Sequence, residues 1–116
     1  MRKIKNITDN MKNKFEIDKF SLGAVLEKLG YTVEAEFKFC EARNFKADWK
    51  VSKNDKCVFV EYEGLMATKS RHTTPTGYTN DCTKYNLAQK LGYKVLRYTV
   101  FNISEVINDL EEVLGW

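Results

Sequence analysis

Phe45-Lys46-Ala47-Asp48-Trp49-Lys50-Val51-Ser52-Lys53-Asn54-Asp55-Lys56-Cys57-Val58-Phe59-Val60-Glu61-Tyr62-Glu63 is the stretch that decides the fold. Apolar and polar residues alternate on both sides of Asn54-Asp55, and that pair suits the centre of a two-residue type I′ turn. With the turn there, Trp49 faces Val60, Ala47 faces Tyr62 and Val51 faces Val58. This face is apolar throughout and is expected in the core. The other face pairs Asp48 with Glu61 and Lys46 with Glu63. Side chains directly opposite in a hairpin have Cβ atoms ~4.5–5.5 Å apart, where like charges repel. Two facing acids therefore call for a positive partner. A hard divalent cation such as Mg²⁺ or Mn²⁺ meets that need, because it favours oxygen ligands. The alternative is a solvated face on which Lys46 or Lys50 neutralises the acids, with Lys46 and Glu63 forming a plain cross-strand ion pair. A bulge would shift the register and separate Asp48 from Glu61.

Outward from the hairpin, Phe20, Leu22, Val25, Leu26 and Leu29 recur at helical spacing from Asp18, with Gly30 as a stop. Tyr31 to Phe39 alternates as a strand. Gly64 to Asn80 has no period and holds the single proline, Pro75, so it reads as a long loop of the kind that carries function. Thr79 or Asn80 then caps a helix to about Leu91, with Gly92 at its end. Tyr93 to Thr99 is a fourth strand. Asn102 or Ser104 caps a last helix whose buried stripe is Val106, Ile107, Leu110, Val113 and Leu114. The fold class is α/β: one domain over residues 18–116 with a mixed four-stranded sheet flanked by helices. Residues 1–17 form an arm or a short helix.

The chain has 116 residues, 43% of them hydrophobic and 30% charged, which fits one globular domain and excludes disorder. No apolar run approaches the ~18 residues of a membrane span, and no apolar stretch follows the basic N-terminus, so a cytoplasmic protein without membrane contact is expected. Cys40, Cys57 and Cys82 are odd in number, far apart and joined by one histidine, His72. That pattern disfavours structural zinc and disulfides, and free buried thiols are expected. Residues 37 to 100 carry twelve Lys/Arg against six Asp/Glu, whereas residues 101 to 116 carry four acids and no base. A basic middle suits a polyanionic partner.

Several short motifs recur in order: Phe37-x-Phe39, Arg43-x-Phe45-Lys46-x-Asp48, Glu61-Tyr62-Glu63-Gly64, Arg71-His72-Thr73, Asp81-x-x-Lys84-Tyr85-Asn86 and Leu91-Gly92-Tyr93-Lys94-Val95-Leu96-Arg97. Over residues 36 to 99 the chain resembles the PD-(D/E)XK nuclease superfamily, and more narrowly the small phage- and prophage-encoded endonucleases of the Holliday-junction-resolvase type. The resemblance implies a restriction-endonuclease-like αβββαβ core followed by a C-terminal helix. It also implies hydrolysis of DNA phosphodiester bonds with Mg²⁺ or Mn²⁺. Asp48 and Glu61 would be the metal ligands, with the Tyr62 carbonyl as a third.

The lysine usual two positions after the glutamate is Glu63 here, so Glu63 is a candidate extra ligand. Lys84, which shares a helix face with Leu87, Ala88 and Leu91, is the candidate for the displaced lysine. Gly64 is followed by Leu65, where related sequences often have a second glycine. Arg71 is a phosphate-gripping candidate and His72 a catalytic one. Arg43 and Lys50 are candidates for the DNA backbone. Asp81 reads as a first-turn acid, Tyr85 and Asn86 as structural, and Glu27 and Glu36 as further upstream carboxylates. The expected activity is a DNA endonuclease, on branched or junction DNA by shape, with a homodimer supplying two cuts on a symmetric junction. A nuclease-like module that binds nucleic acid or a partner without cutting is the alternative, motivated by Glu63. RNA as the substrate is more remote.

Overall fold

The computed structural model describes residues 19–64 and 74–115. Its elements are α1 (Lys19–Lys28), β1 (Thr32–Cys40), β2 (Phe45–Lys53), β3 (Lys56–Gly64), α2 (Pro75–Lys90), β4 (Lys94–Thr99), a 3-10 turn (Ile103–Glu105) and α3 (Val106–Leu114). The chain is thus α/β, with a mixed four-stranded sheet ordered β1-β2-β3-β4. The β1–β2 and β2–β3 pairs are antiparallel, and β3–β4 is parallel across the α2 connection. No described helix is long and apolar enough to cross a membrane. The arm over residues 1–17 lies outside the described residues, as do Arg71 and His72.

The hairpin has the expected register: Trp49 pairs with Val60, Val51 with Val58 and Lys53 with Lys56. Asn54 and Asp55 have φ of 57° and 65°, the left-handed pair that a type I′ turn requires. Asn54 also donates from its Nδ2 to the Leu114 carbonyl at 3.1 Å, so the hairpin tip ties down the end of α3.

Helices pack on both faces of the sheet. On one face, Leu22 and Leu26 of α1 and Val106, Ile107, Leu110 and Leu114 meet Trp49, Val51, Val58, Val60 and Tyr98 in the larger core. Tyr98 adds a hydrogen bond from its hydroxyl to Asp109 of α3 at 2.7 Å. On the other face, Ala88 of α2 packs with Ala47 and Phe59, and Phe37, Phe39, Tyr93 and Val95 close around them. Strict alternation would have put Ala47 with Trp49 and Val51. Glu36, opposite in β1, has a φ of 52°, and the strand pairing passes from Ala35–Trp49 to Phe37–Ala47 without it. That left-handed residue interrupts the pleat, so Val33 packs against the larger core while Phe37 and Phe39 pack on the α2 side.

Both helix-to-strand junctions use the same four residues. Lys28-Leu29-Gly30-Tyr31 and Lys90-Leu91-Gly92-Tyr93 each turn the chain at a glycine with φ near the left-handed region, 99° and 93°. Tyr31 N–H bonds the Leu26 carbonyl and Tyr93 N–H the Ala88 carbonyl, the six-to-one bond of a Schellman ending. A side chain at either glycine would be strained by that φ.

Several sequence expectations need correction. Neither Asn102 nor Ser104 caps α3, which follows the 3-10 turn with Glu105 at its N-cap and no side-chain cap bond; Asn102 Oδ1 instead accepts from Thr99 N–H at 2.7 Å. Helix α2 begins at Pro75, not at Thr79 or Asn80: Thr74 is the N-cap, its Oγ1 accepting from Gly77 N–H at 3.0 Å, with Pro75 at the first helical position. Pro, Thr and Gly have the composition of a loop, yet Pro is well suited to the start of a helix. Asp81 consequently lies beyond the first turn, buried at 7% exposure, and Leu91 at the C-cap is exposed. Cys40 and Cys57 are half-buried free thiols and Cys82 is exposed, so the thiols are not the buried set expected.

Candidate metal centre at the fork of β2 and β3

Regular pairing between β2 and β3 runs from the Asn54-Asp55 turn and ends at Trp49–Val60. Beyond that point side-chain carboxylates bond the neighbouring strand. Asp48 N–H donates to Glu61 Oε2 at 3.0 Å, and Tyr62 N–H donates to Asp48 Oδ2 at 2.8 Å. The two acids therefore converge in the gap where the strands part, each satisfying a backbone donor that would otherwise lose its partner. Tyr62 contributes through this N–H, and its ring packs against the larger core.

Glu61 is 5% exposed and is reached from the α2 side. Lys84 Nζ lies 3.2 Å from Glu61 Oε1, and the side chains are 14% and 7% exposed. The Tyr85 hydroxyl donates toward the same oxygen at 3.3 Å. Burial and the Asp48 charge push the Glu61 carboxyl above its ordinary pKa, while Lys84 and the Asp48 N–H pull it back down. The α2 helix turns Lys84 and Tyr85 to the sheet because Ala88, one turn on, is buried against Phe59.

Asp48 lies at the other side of the split. It lines a cavity of about 580 Å³ with Glu27, Glu36, Trp49 and the small residues Gly23 and Ala24 of α1. Gly23 is close to the indole: a Cβ there would lie 3.1 Å from Trp49 Nε1. Glu36 is thus both an acid beside Asp48 and the left-handed residue of β1.

Glu63 is not paired with Lys46. Lys46 faces Lys38 of β1, and Glu63 Oε2 is bound by Arg97 Nε of β4 at 3.0 Å and approached by the Tyr85 hydroxyl at 3.4 Å. Arg97 also stacks its guanidinium 4.3 Å from the Tyr85 ring centroid. Arg97 and Tyr85 were not among the site residues expected. The signal for Arg97 lay in a register that no turn specifies, the parallel pairing of Glu61 with Arg97. Of the candidates for the DNA backbone, Lys50 bridges to Glu34 at 3.8 Å and lies over the Phe37 ring. Arg43 is exposed at the β1–β2 turn, over Phe45. Neither touches the fork acids.

Among the described residues, no three His, Cys, Asp or Glu side chains group as metal ligands. The fork supplies two carboxylates, and the donor chemistry suits a hard cation that keeps several waters, as Mg²⁺ does when only one or two carboxylates hold it. A cation would also relieve the desolvated, like-charged state of Glu61. Asp48 and Glu61 are oxygen donors of the kind Mg²⁺ or Mn²⁺ takes, and a cation there would share Glu61 with Lys84, Tyr85 and the Asp48 N–H. No protein-family model, no curated protein and no solved structure matches this chain.

Proposed function

We propose that the chain is a divalent-metal-dependent DNA endonuclease of the PD-(D/E)XK type, acting on branched or junction DNA as the small phage resolvases do. One observation carries this reading: Asp48 and Glu61 converge at a strand fork with the Lys84 ammonium 3.2 Å from Glu61. Two acids bonded across a strand fork, one of them paired with a lysine, are the donor types a metal-assisted phosphodiester hydrolase uses, and the element order αβββαβ agrees with that fold.

Mg²⁺ or Mn²⁺, when bound, lowers the pKa of its water and offsets charge on the phosphate. Asp48 and Glu61 hold it. Lys84 favours the ionised form of Glu61 against the burial that opposes it, and supplies the positive charge that the Glu63 position lacks. A phosphate backbone meets a basic central segment, and recognition rests on shape and backbone. A symmetric junction cut twice would take a second copy of the chain.

Cleavage of four-way and linear DNA with Mg²⁺ or Mn²⁺ by wild type, Asp48→Ala and Glu61→Ala tests the reading. Loss of ~10²–10³-fold is expected for each variant. Equal cleavage by all three proteins removes the assignment.

A second reading, a nuclease-like module that binds without cutting, draws on the same fork. Both oxygens of Glu61 already accept protein donors, Lys84 and Tyr85 on one and Asp48 N–H on the other. Calorimetric titration with Mn²⁺ separates the readings: no heat near millimolar Mn²⁺, with DNA binding intact, favours the module.

A further inference from the structure

We propose that Tyr85 is a positioning residue for the fork: its hydroxyl, held between Glu61 and Glu63, fixes the orientation of the Glu61 carboxylate, and Arg97 fixes Tyr85. This rests on the proposed metal site. Tyr85 is the hub of a cluster of acids and cations. Its hydroxyl lies 3.3 Å from Glu61 Oε1 and 3.4 Å from Glu63 Oε2. Its ring has Lys84 Nζ at 5.3 Å and the Arg97 guanidinium at 4.3 Å from the centroid. Two acids meet the hydroxyl and two cations flank the ring.

The geometry divides the work. Lys84 reaches Glu61 on a flexible four-carbon stem and delivers charge with little direction. Tyr85 is rigid, with two side-chain torsions, and its ring is pinned by a stacked guanidinium that is itself bound to Glu63 at 3.0 Å. A carboxylate whose one oxygen takes Lys84 and Tyr85 and whose other takes Asp48 N–H cannot rotate without breaking bonds on both sides. Glu63, standing where a lysine is usual in the superfamily the chain resembles, then acts through Arg97 and Tyr85. It completes the clamp and is not a metal ligand.

Mn²⁺ affinity by calorimetry, alongside cleavage kinetics and thermal unfolding, tests this with wild type, Tyr85→Phe, Arg97→Gln and the double variant. Outer partners of metal ligands typically matter by ~10-fold or more, so Tyr85→Phe should weaken Mn²⁺ binding about tenfold and lower kcat without changing KM for DNA. Arg97→Gln should weaken Mn²⁺ binding less. Because Arg97 acts through Tyr85, the double variant should be no weaker than Tyr85→Phe alone. Unchanged Mn²⁺ affinity in Tyr85→Phe, or additive losses in the double variant, overturns the inference while leaving the nuclease reading in place. If wild type itself neither binds Mn²⁺ nor cleaves DNA, both fall together. Arg97→Gln keeps the test decisive should Tyr85→Phe fold poorly: Mn²⁺ affinity equal to wild type in that variant also overturns it.

Discussion

The two ends of the β2–β3 hairpin are built on opposite principles. At the closed end, from Asn54-Asp55 to Trp49–Val60, backbone pairs with backbone and the inward side chains Val51, Val58 and Val60 are fully buried. At the open end the backbone donors of Asp48 and Tyr62 turn to carboxylates, and Glu61 is held ionisable at 5% exposure. The first arrangement minimises free energy. The second keeps two acids together in a split that desolvates one of them, a state that folding alone would not favour. The closed end supplies the stability against which the open end is held.

Variants in and against the hairpin can break that contrast. The largest effect on stability is expected from Lys84→Met, which leaves Glu61 buried without its cation. Removing one partner of a buried pair costs ~3 kcal/mol or more. The sign with pH is specific. Glu61 has a folded pKa above its unfolded value, so its contribution to folding is fullest in acid and is lost as pH rises through that raised pKa. Losing Lys84 raises the Glu61 pKa further. The Lys84→Met penalty should therefore be greatest at neutral pH and shrink as Glu61 becomes protonated, read from urea unfolding at several pH values. A penalty independent of pH would mean that Lys84 does not stabilise the Glu61 charge.

Val60→Ala, at the last regular pair, should cost ~2 kcal/mol in the same unfolding assay, from lost burial and the cavity left behind. Mn²⁺ affinity should stay near wild type. A large loss of Mn²⁺ binding in Val60→Ala would show that the two ends are not separable. The smallest effect concerns Glu36, the left-handed residue of β1 beside Asp48. Replacing it with glycine relieves a strain of order 1 kcal/mol, so Glu36→Gly should unfold at a slightly higher urea concentration. A lower midpoint would show that the Glu36 side chain contributes more than its backbone costs.

The closed end was legible in the sequence because a two-residue turn and a strict apolar alternation specify one register. That register brought Asp48 and Glu61 to one place in the chain's folding back. The helical spacing of Lys84 with Leu87 and Ala88 likewise pointed its side chain at the sheet. What stayed hidden depends on contacts with no local signature. The swap of faces at Glu36 is a single φ angle in a residue that normally avoids it. The Arg97–Glu63–Tyr85 clamp requires β4 to lie parallel to β3, a pairing joined through α2 and not through a turn. The start of α2 was obscured because Thr74-Pro75-Thr76-Gly77 has the composition of a loop and the chemistry of a helix cap.

Diffraction from a crystal soaked in Mn²⁺, with anomalous data, tests the central claim most directly. A strong anomalous peak bridging a carboxylate oxygen of Asp48 and one of Glu61 is the predicted result. Millimolar Mn²⁺ with no peak at that fork, or a peak held by other residues, would contradict it.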